Sequence, residues 1–198
     1  MYSDQILHYQ TGVLLTAIIL TMKLYFVRHG QTKSNVDMAY GKSINDLDDP
    51  LDETGISQAN ELAEKLKDTK FDVLVSSPLK RAHQTAKIIN KKHNLPIKIN
   101  EDWVERRAGE YIDPYKWHQL FDLDKDLPVG DGESASEFFA RGYKAIEDLK
   151  KKHGDKSVLV VSHGGMQHVL YAYTNKLPLK GNLRISPMNN CEYRIYEL

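Results

Sequence analysis

The chain has 198 residues, of which 41% are hydrophobic and 27% are charged, a composition typical of a soluble globular domain with a full core. Its 27 basic and 27 acidic residues give a formal net charge of zero, so no long-range field attracts the protein to nucleic acid or to an acidic membrane surface. The single cysteine, Cys191, cannot form an intramolecular disulfide, which fits a reducing cytoplasm, and we expect it to be a small core residue.

The first 21 residues differ in pattern from the rest of the chain. The apolar run at residues 13–20 is much shorter than the roughly 20 residues that span a bilayer. No Lys or Arg precedes Lys23, whereas a secretory signal begins with basic residues. Because Met22 opens a complete first strand, we expect residues 1–21 to be an N-terminal extension of a domain that covers residues 22–198. The alternative is that residues 1–21 hold a short strand or helix packed on that domain.

Beyond Met22, strand patterns alternate with helical patterns. Strands are predicted at residues 23–28, 71–75, 97–99 and 157–161, with a further strand-like run at 192–198, and helices at 54–68, 78–92, 134–153 and from about 165. Ser134 and Glu137 can form a capping box at the start of the long helix. The alternation predicts one three-layer α/β domain, with a mostly parallel sheet, helices on both faces and a short cap segment at about residues 103–132.

Arginines and histidines stand at the end of three of these strands or in the segment that follows. They are Arg28 and His29 after the first strand, Arg81 after the second, and His163 after the strand at 157–161. Ligands of such sheets bind at the carboxyl ends of the strands, so we expect these side chains to converge. The arginine fork matches phosphate oxygens, and the Gly164-Gly165 pair opens a helix whose free N–H groups favour an anion. The pattern predicts a phosphate pocket. The alternative, a zinc site on the two histidines, would place the ion beside arginines that repel it, and no third ligand has a suitable spacing.

Four ordered segments of the sequence resemble the signatures of the histidine phosphatase superfamily, in its phosphoglycerate-mutase-like branch. They run from about Met22 to the C-terminus and read RHGQTKSN, PLDETGISQA, SSPLKRAHQTA and VSHGG. The resemblance implies that His29 is the nucleophile that becomes phosphohistidine, without a metal or another cofactor. It also implies that the transferred phosphoryl group is bound by Arg28, Arg81, His163 and Gly164, with Asn35 as a further donor.

Asn35 and Gly30, which are near His29 in the sequence, can also be interpreted from the residues alone. Asn35 could instead be a turn or helix-start residue near Thr32. For Gly30, we expect that a side chain would crowd the arriving phosphate.

The resemblance assigns the general acid to Glu105, through the spacing Glu-x-x-x-Gly. Its competitors are the nearby carboxyl groups of Glu101, Asp102, Glu110 and Asp113, and all five could be solvated loop charges. The chain departs from the family pattern at Ala108, where an aromatic residue is usual, and at Ile112-Asp113, where Glu-Gly is frequent. These departures affect the identity of the acid and of the substrate more than the phosphoryl transfer itself.

Aromatic residues are frequent in the cap segment, where we expect them to pack on the body rather than to bind a ring. They are Trp103, Tyr111, Tyr115, Trp117 and Phe121.

The function expected from the resemblance is a cytoplasmic, metal-independent phosphomonoesterase that acts on a small phosphorylated metabolite. A cofactor-dependent phosphoglycerate mutase is an alternative, but the stretch between Glu105 and His163 is short for its lid. A weakly catalytic regulatory module is another, and the intact set of arginines and histidines argues against it.

Overall fold

A five-stranded sheet forms the centre of the computed structural model, which describes residues 21–39, 48–107, 119–126 and 132–198. The strands are β1 (Lys23–Arg28), β2 (Val73–Ser76), β3 (Ile97–Ile99), β4 (Ser157–Ser162) and β5 (Tyr193–Glu197). Their order is β3-β2-β4-β1-β5; β5 pairs antiparallel with β1, and the other pairs are parallel. The prediction of an α/β domain with a mostly parallel sheet is confirmed.

Five α-helices accompany the sheet in the described residues. They are α1 (Lys33–Ala39), α2 (Glu53–Leu66), α3 (Lys80–Asn90), α4 (Ala135–His153) and α5 (Met166–Thr174), with a 3₁₀ turn at Glu101–Trp103. The predicted capping box of α4 is present: Ser134 Oγ accepts from Glu137 N at 3.2 Å, and Glu137 Oε2 accepts from Ser134 N at 2.9 Å. Within the described ranges, no helix is long and apolar enough to cross a membrane.

The sheet is covered on both faces, which explains why β1, β2 and β4 are continuous apolar runs. Leu24 and Phe26 point into the core cluster formed with α4 and α5. Tyr25 and Val27, between and after them, point into the cluster formed with α2 and α3. Successive residues of a strand face opposite sides of a sheet, so this alternation produces three layers.

The helix around Arg81 begins later than the sequence pattern indicates. We expected Pro78 in its first turn, but α3 starts at Lys80 because Leu79 keeps an extended backbone with φ −60° and ψ 137°. Ser77 N also donates to Val161 O at 3.0 Å, which continues the sheet past the end of β2. Arg81 is therefore the second residue of α3 and lies next to the strand ends. No helix was predicted from the hydrophobic pattern at α1, although Asn35 was considered as a helix-start residue.

The described aromatic residues of the cap segment pack in the core, as expected. Trp103 and Phe121 are almost fully buried and contact the rings of Phe26 and Phe138, respectively. Tyr111, Tyr115 and Trp117 lie outside the described residues. Cys191 lies in the turn before β5, and its partly buried side chain packs against the α2–α3 cluster. Burial raises the pKa of its thiol to about 12, so the thiol stays protonated at neutral pH.

The start of the domain can be followed from Thr21 onward. Met22 and Leu198 exchange two backbone hydrogen bonds of 2.9 Å, which begin the pairing of β1 with β5. Residues 1–20 lie outside the described ranges, so the expectation that residues 1–21 form an extension stays a prediction.

Candidate active site

The carboxyl ends of β1, β4 and β2 meet at one edge of the sheet because these strands are neighbours in parallel register. Arg28 pairs with Ser162, and Ser76 with Val161. His29 N then donates to Ser162 O at 3.0 Å, so the chain that follows β1 runs beside the chain that follows β4. This register brings the predicted arginines and histidines together.

His29 is buried, and both of its ring nitrogens are engaged. Nδ1 lies 2.7 Å from Gly30 O, and a carbonyl can only accept, so Nδ1 carries the hydrogen. Nε2 therefore has a free electron pair and accepts a hydrogen bond of 3.1 Å from Arg81 Nε. Burial first, and then the charges of Arg81 and Arg28, hold the pKa of His29 well below its usual 6.5. The ring is therefore neutral at physiological pH, the state that nucleophilic attack by an imidazole requires.

His163 lies beside this ring, with the two ring centres 5.2 Å apart and the planes inclined by 60°. Its Nε2 contacts Ser77 Oγ at 2.8 Å, while Nδ1 has no hydrogen-bond partner among the described residues. Burial first, and then the charges of Arg81 and Arg28, also hold its pKa well below 6.5. Two neutral imidazoles are thus enclosed together with two guanidinium groups.

Arg28 and Arg81 supply the positive charge of the cluster. Arg28 Nη1 donates to Met188 O, while Arg28 Nε is buried without a hydrogen bond in the described part of the chain. Burial lowers the pKa of both arginines, and the nearby Glu105 carboxylate is the first of the charges that oppose this effect. Because arginine keeps its proton even in such sites, the cluster carries two fixed positive charges and suits a dianion.

Glu105 lies at the amino end of α5, where its carboxylate accepts two backbone hydrogen bonds. Oε2 accepts from Gly165 N at 3.0 Å and Oε1 from Arg106 N at 2.9 Å. A Cβ atom at position 165 would lie 2.0 Å from Oε1, so Gly165 makes room for this side chain. We expected the free N–H groups of the Gly-Gly pair to face the phosphate, but the Gly165 N–H faces a carboxylate of the chain itself.

The neighbouring backbone itself requires a glycine at position 30, and the expectation that a side chain there would crowd the phosphate stays a prediction. A Cβ atom there would lie 2.6 Å from Gly55 O, and one at Gly55 would lie 2.1 Å from Gln31 O. The backbone after His29 therefore touches the first turn of α2. Thr85 Oγ1 also accepts from Gly30 N at 3.0 Å and donates to Arg81 O at 2.8 Å, which connects this loop to α3.

Asn35 has the helix-start role that was the alternative for it. Its Oδ1 accepts from Thr32 N at 3.2 Å, and its N donates to Thr32 Oγ1 at 3.3 Å. Asn190 Nδ2 donates both to Asn35 Oδ1 and to His29 O, each at 3.0 Å. A contact of Asn35 with phosphate stays a prediction. Asn190 follows no strand and belongs to no recognised motif, so sequence reasoning missed it.

Gly164 lies against Arg28, since a Cβ atom at this position would be 3.4 Å from Arg28 Nε.

Among the competitors of Glu105, Asp102 lies at the surface and pairs with Lys144, while Glu101 is exposed. Glu110 and Asp113 lie outside the described residues. Asp49, which sequence reasoning did not consider, has its Oδ1 3.9 Å from Arg81 Nη1.

The backbone around Glu105 is held by a partly buried network that the motifs do not reveal. Arg141 of α4 donates to the carbonyls of Asp102, Val104 and Glu105 at 2.8 to 3.3 Å. The same guanidinium pairs with the carboxylate of Glu133 at 2.6 and 2.8 Å. The eight-residue spacing of Glu133 and Arg141 carries no signal that a one-sequence reading could detect. In the described part of the chain, no three His, Cys, Asp or Glu side chains are grouped closely enough to hold a metal ion.

Comparison with known proteins adds an independent observation. Residues 24–198 match the sequence profile of the histidine phosphatase superfamily (branch 1). The chain is 35% identical to the uncharacterized phosphatase PhoE of Bacillus subtilis over 147 residues, covering 73% of this chain and 72% of the relative. It is 32% identical to the metal-independent phosphoserine phosphatase of Arabidopsis thaliana over 180 residues, covering 84% and 74%. A solved structure of a mycobacterial glucosyl-3-phosphoglycerate phosphatase superposes with a TM-score of 0.76 at 26% identity, covering 88% and 89%.

Proposed function

Because the chain belongs to the histidine phosphatase superfamily, branch 1, we propose that it is a metal-independent phosphomonoesterase that works through a phosphohistidine on His29. The observation that carries this proposal is the state of the His29 ring. Its Nδ1 hydrogen is bound to Gly30 O, and its bare Nε2 faces the Arg81 guanidinium. An unprotonated nitrogen beside fixed positive charge is what attack on an anionic phosphoryl group requires.

In the first step, His29 Nε2 forms a bond to phosphorus while the bond between phosphorus and the ester oxygen breaks. The Nδ1 hydrogen stays on the ring, where Gly30 O stabilises the positive imidazolium of the phosphoenzyme. The leaving oxygen takes a proton from the Glu105 carboxyl, which lies close to Arg28 and Arg81 and therefore within the proposed phosphoryl site.

In the second step, water attacks the phosphorus of phosphohistidine. Glu105, now a carboxylate, takes the proton of this water, and the bond between nitrogen and phosphorus breaks. His29 returns to its neutral state with Nε2 bare, and inorganic phosphate leaves. The sum of the two steps is the hydrolysis of a phosphate monoester to an alcohol and phosphate.

The charge on the transferred group is stabilised by fixed donors in this mechanism. Arg28, Arg81 and His163 would bind its equatorial oxygens, with Gly164 and Asn35 beside them. The buried Nε of Arg28 and Nδ1 of His163 have no hydrogen-bond partner among the described residues, which supports an oxyanion as their ligand. Such preorganised donors do the electrostatic work that metal ions do in other phosphoryl-transfer enzymes.

The proposed substrate is a small phosphorylated metabolite. The names of the relatives include a phosphoserine phosphatase and a glucosyl-3-phosphoglycerate phosphatase, so phosphorylated amino acids and phosphorylated hydroxy acids are the first classes to test. We place the enzyme in the cytoplasm, since the chain has one cysteine and no possible internal disulfide.

The test is phosphate release and phosphoenzyme trapping across a panel of esters. The panel comprises phosphoserine, phosphoglycerates, sugar phosphates, fructose 2,6-bisphosphate, ribazole phosphate and nucleotides. We expect release from at least one of them, labelling of His29 in rapidly quenched wild-type protein, and no turnover by His29→Ala. His153→Ala, which removes an imidazole at the far end of α4, is the matched control and should stay active. Turnover by folded His29→Ala, or isomerisation of 3-phosphoglycerate without phosphate release, would contradict the proposal.

A further inference from the structure

Ser77 is a fully buried serine just after β2, and neither the sequence motifs nor the proposed steps give it a role. Its Oγ lies 2.8 Å from Nε2 of His163. The backbone N–H of Leu79 also points to this oxygen, at 3.4 Å. The hydroxyl thus lies between a backbone donor and an imidazole nitrogen.

These two contacts favour one direction for the hydroxyl hydrogen. The Leu79 N–H can only donate, so Ser77 Oγ accepts from it, and among the described residues His163 Nε2 is the acceptor that lies within reach of the serine hydrogen. The enclosed ring of His163 is neutral, because burial and then the charges of Arg81 and Arg28 hold its pKa well below 6.5. A neutral imidazole has one N–H and one acceptor nitrogen. With Ser77 as the donor, Nε2 is the acceptor and Nδ1 carries the hydrogen.

Nδ1 of His163 is the atom that lacks a hydrogen-bond partner among the described residues. Arg28 Nε is a second buried donor without one, and it lies 3.4 Å from the place of a Cβ atom on Gly164, the next residue after His163. Buried donors without partners are rare because their desolvation is not compensated. An oxyanion between these groups would satisfy both donors.

We propose that Ser77 is a positioning residue that holds His163 with its hydrogen on Nδ1, so that this N–H donates to an oxygen of the transferred phosphoryl group. The inference rests on the proposed function for the identity of the ligand. The opposite tautomer would present an electron pair to the oxyanion and repel it.

His29 and His163 then share one tautomer but use opposite atoms. In His29 the Nδ1 hydrogen is bound to Gly30 O, which leaves the bare Nε2 for attack on phosphorus. In His163 the bare Nε2 is bound to Ser77, which leaves the Nδ1 hydrogen for the oxygens. The Gly30 carbonyl and the Ser77 hydroxyl thus turn chemically identical rings into a nucleophile and a donor.

The tautomer can be measured without any substrate. In phosphate-free protein labelled with ¹⁵N-histidine, two-bond ¹H–¹⁵N correlations distinguish a hydrogen on Nδ1 from one on Nε2. We expect Nδ1–H for His163 in the wild type and in Ser77→Thr, which keeps the hydroxyl. Ser77→Ala should show a population of the Nε2–H form. Ser76→Ala is the matched control, since the Ser76 hydroxyl is equally buried but donates to Ser77 O and not to His163.

Inhibition by inorganic phosphate and kcat/KM provide the second readout. Loss of the partner that orients a metal-bound histidine typically costs about 10–100-fold in affinity or activity, and we expect Ser77→Ala to weaken phosphate inhibition and kcat/KM by a factor of the same order. Ser77→Thr should recover most of the loss, and Ser76→Ala should cause little. A wild-type His163 with hydrogen on Nε2, or equal losses in Ser77→Ala and Ser76→Ala with unchanged tautomers, would overturn the inference. Failure of the proposed function would appear differently, as no phosphate release by the wild type, and the tautomer measurement would remain a test of Ser77.

Discussion

Nε of Arg81 donates a 3.1 Å hydrogen bond to Nε2 of His29, the nitrogen that attacks phosphorus in the proposed mechanism. The electron pair on Nε2 therefore accepts a hydrogen bond from the guanidinium group, and Nε2 itself carries no proton. An arriving phosphoryl group offers oxygens to which the arginine can turn, and this exchange would uncover Nε2. Arg81 would therefore bind Nε2 of His29 before the substrate arrives and bind the phosphoryl oxygens afterwards.

The first prediction concerns this arginine. Arg81→Lys keeps a positive charge but lacks the planar fork and the Nε donor, so we expect kcat/KM to fall about 10²–10³-fold. Steady-state kinetics on the best ester of the panel measure the effect. Lys80→Ala is the control, because its ion pair with Asp48 is largely exposed and worth little. Equal losses in both variants would assign the effect to the start of α3 rather than to the guanidinium.

The second prediction separates the acid from other carboxyl groups through the leaving group. Glu105→Gln should slow hydrolysis of an alkyl phosphate about 10²–10⁴-fold, because an alkoxide needs a proton as it leaves. The same variant should retain much of its rate on p-nitrophenyl phosphate, whose leaving group departs as an anion.

Two further variants make this test specific. Asp49→Asn, beside Arg81, should affect both substrates equally, and Glu101→Gln should affect neither. Equal losses for Glu105→Gln on both substrates would indicate a binding role. If this variant loses no activity, the acid would be another carboxyl, such as Glu110 or Asp113.

The third prediction concerns metal removal. If the buried arginines supply the positive charge, activity should survive prolonged dialysis against EDTA and should not rise with added Mg²⁺ or Zn²⁺. The initial rate on one substrate, measured before and after dialysis, is sufficient. A reversible loss on chelation would favour the zinc alternative on the two histidines.

The fourth prediction concerns stability at acidic pH. His168 is buried against Phe121, its Nδ1 accepts from Ile185 N at 3.0 Å, and burial lowers its pKa to about 3. The unfolded chain binds a proton near pH 6.5 and the folded chain does not, so stability is full above pH 6.5 and falls below it. This group alone should cost about 2 kcal/mol at pH 5 relative to neutral pH.

Denaturant unfolding of wild type and His168→Gln between pH 5 and 8 measures this contribution. The variant should show a shallower dependence on pH, since it lacks one proton-linked group, although it is less stable at pH 7. If the free energy of unfolding changes with pH equally in the two proteins, the pKa of about 3 for His168 is contradicted. His29 and His163 add to the acid loss in both proteins, because their pKa values are also lowered.

The fifth prediction concerns residues 1–21. If the domain begins at Met22, where pairing with Leu198 starts, their deletion should leave activity and Tm nearly unchanged. Calorimetry of the two proteins makes the comparison. A drop of several degrees, equivalent to about 1 kcal/mol or more for a domain of this size, would mean that the apolar run at residues 13–20 packs on the body.

The sequence predicts the parts of the site that depend on strand ends. Arg28, His29 and His163 directly follow continuous apolar runs, and parallel register brings such positions together whatever the details of packing. The bounds of the helices and strands that the sequence predicts agree with the structure to within two residues. This agreement follows because burial of an element determines its pattern of hydrophobic residues.

The parts that one sequence could not predict depend on contacts between distant segments. Position 30 needs a glycine because the backbone of Gly55, in another element, lies against it. Position 165 needs one because the Glu105 side chain, sixty residues earlier in the chain, occupies the space. Ser77 and Asn190 contact His163, His29 and Asn35 through hydrogen bonds whose geometry follows from the packed fold, and no residue spacing encodes it. The resemblance to a family names residues that touch substrate, whereas the residues that orient them become visible only in three dimensions.

The turn before β5 has a consequence for how the enzyme is made. Cys191 N donates to the carbonyls of Arg28 and His29 at 3.1 and 3.2 Å, and Asn190 also donates to His29 O. These donors follow every helix of the described chain in sequence, while the loop that they hold comes right after the first strand. A ribosome therefore synthesises His29 before the residues that hold its carbonyl. Nascent chains that stop before residue 190 would carry His29 without these partners, so the backbone around the proposed nucleophile would be complete only once Asn190 and Cys191 have been made.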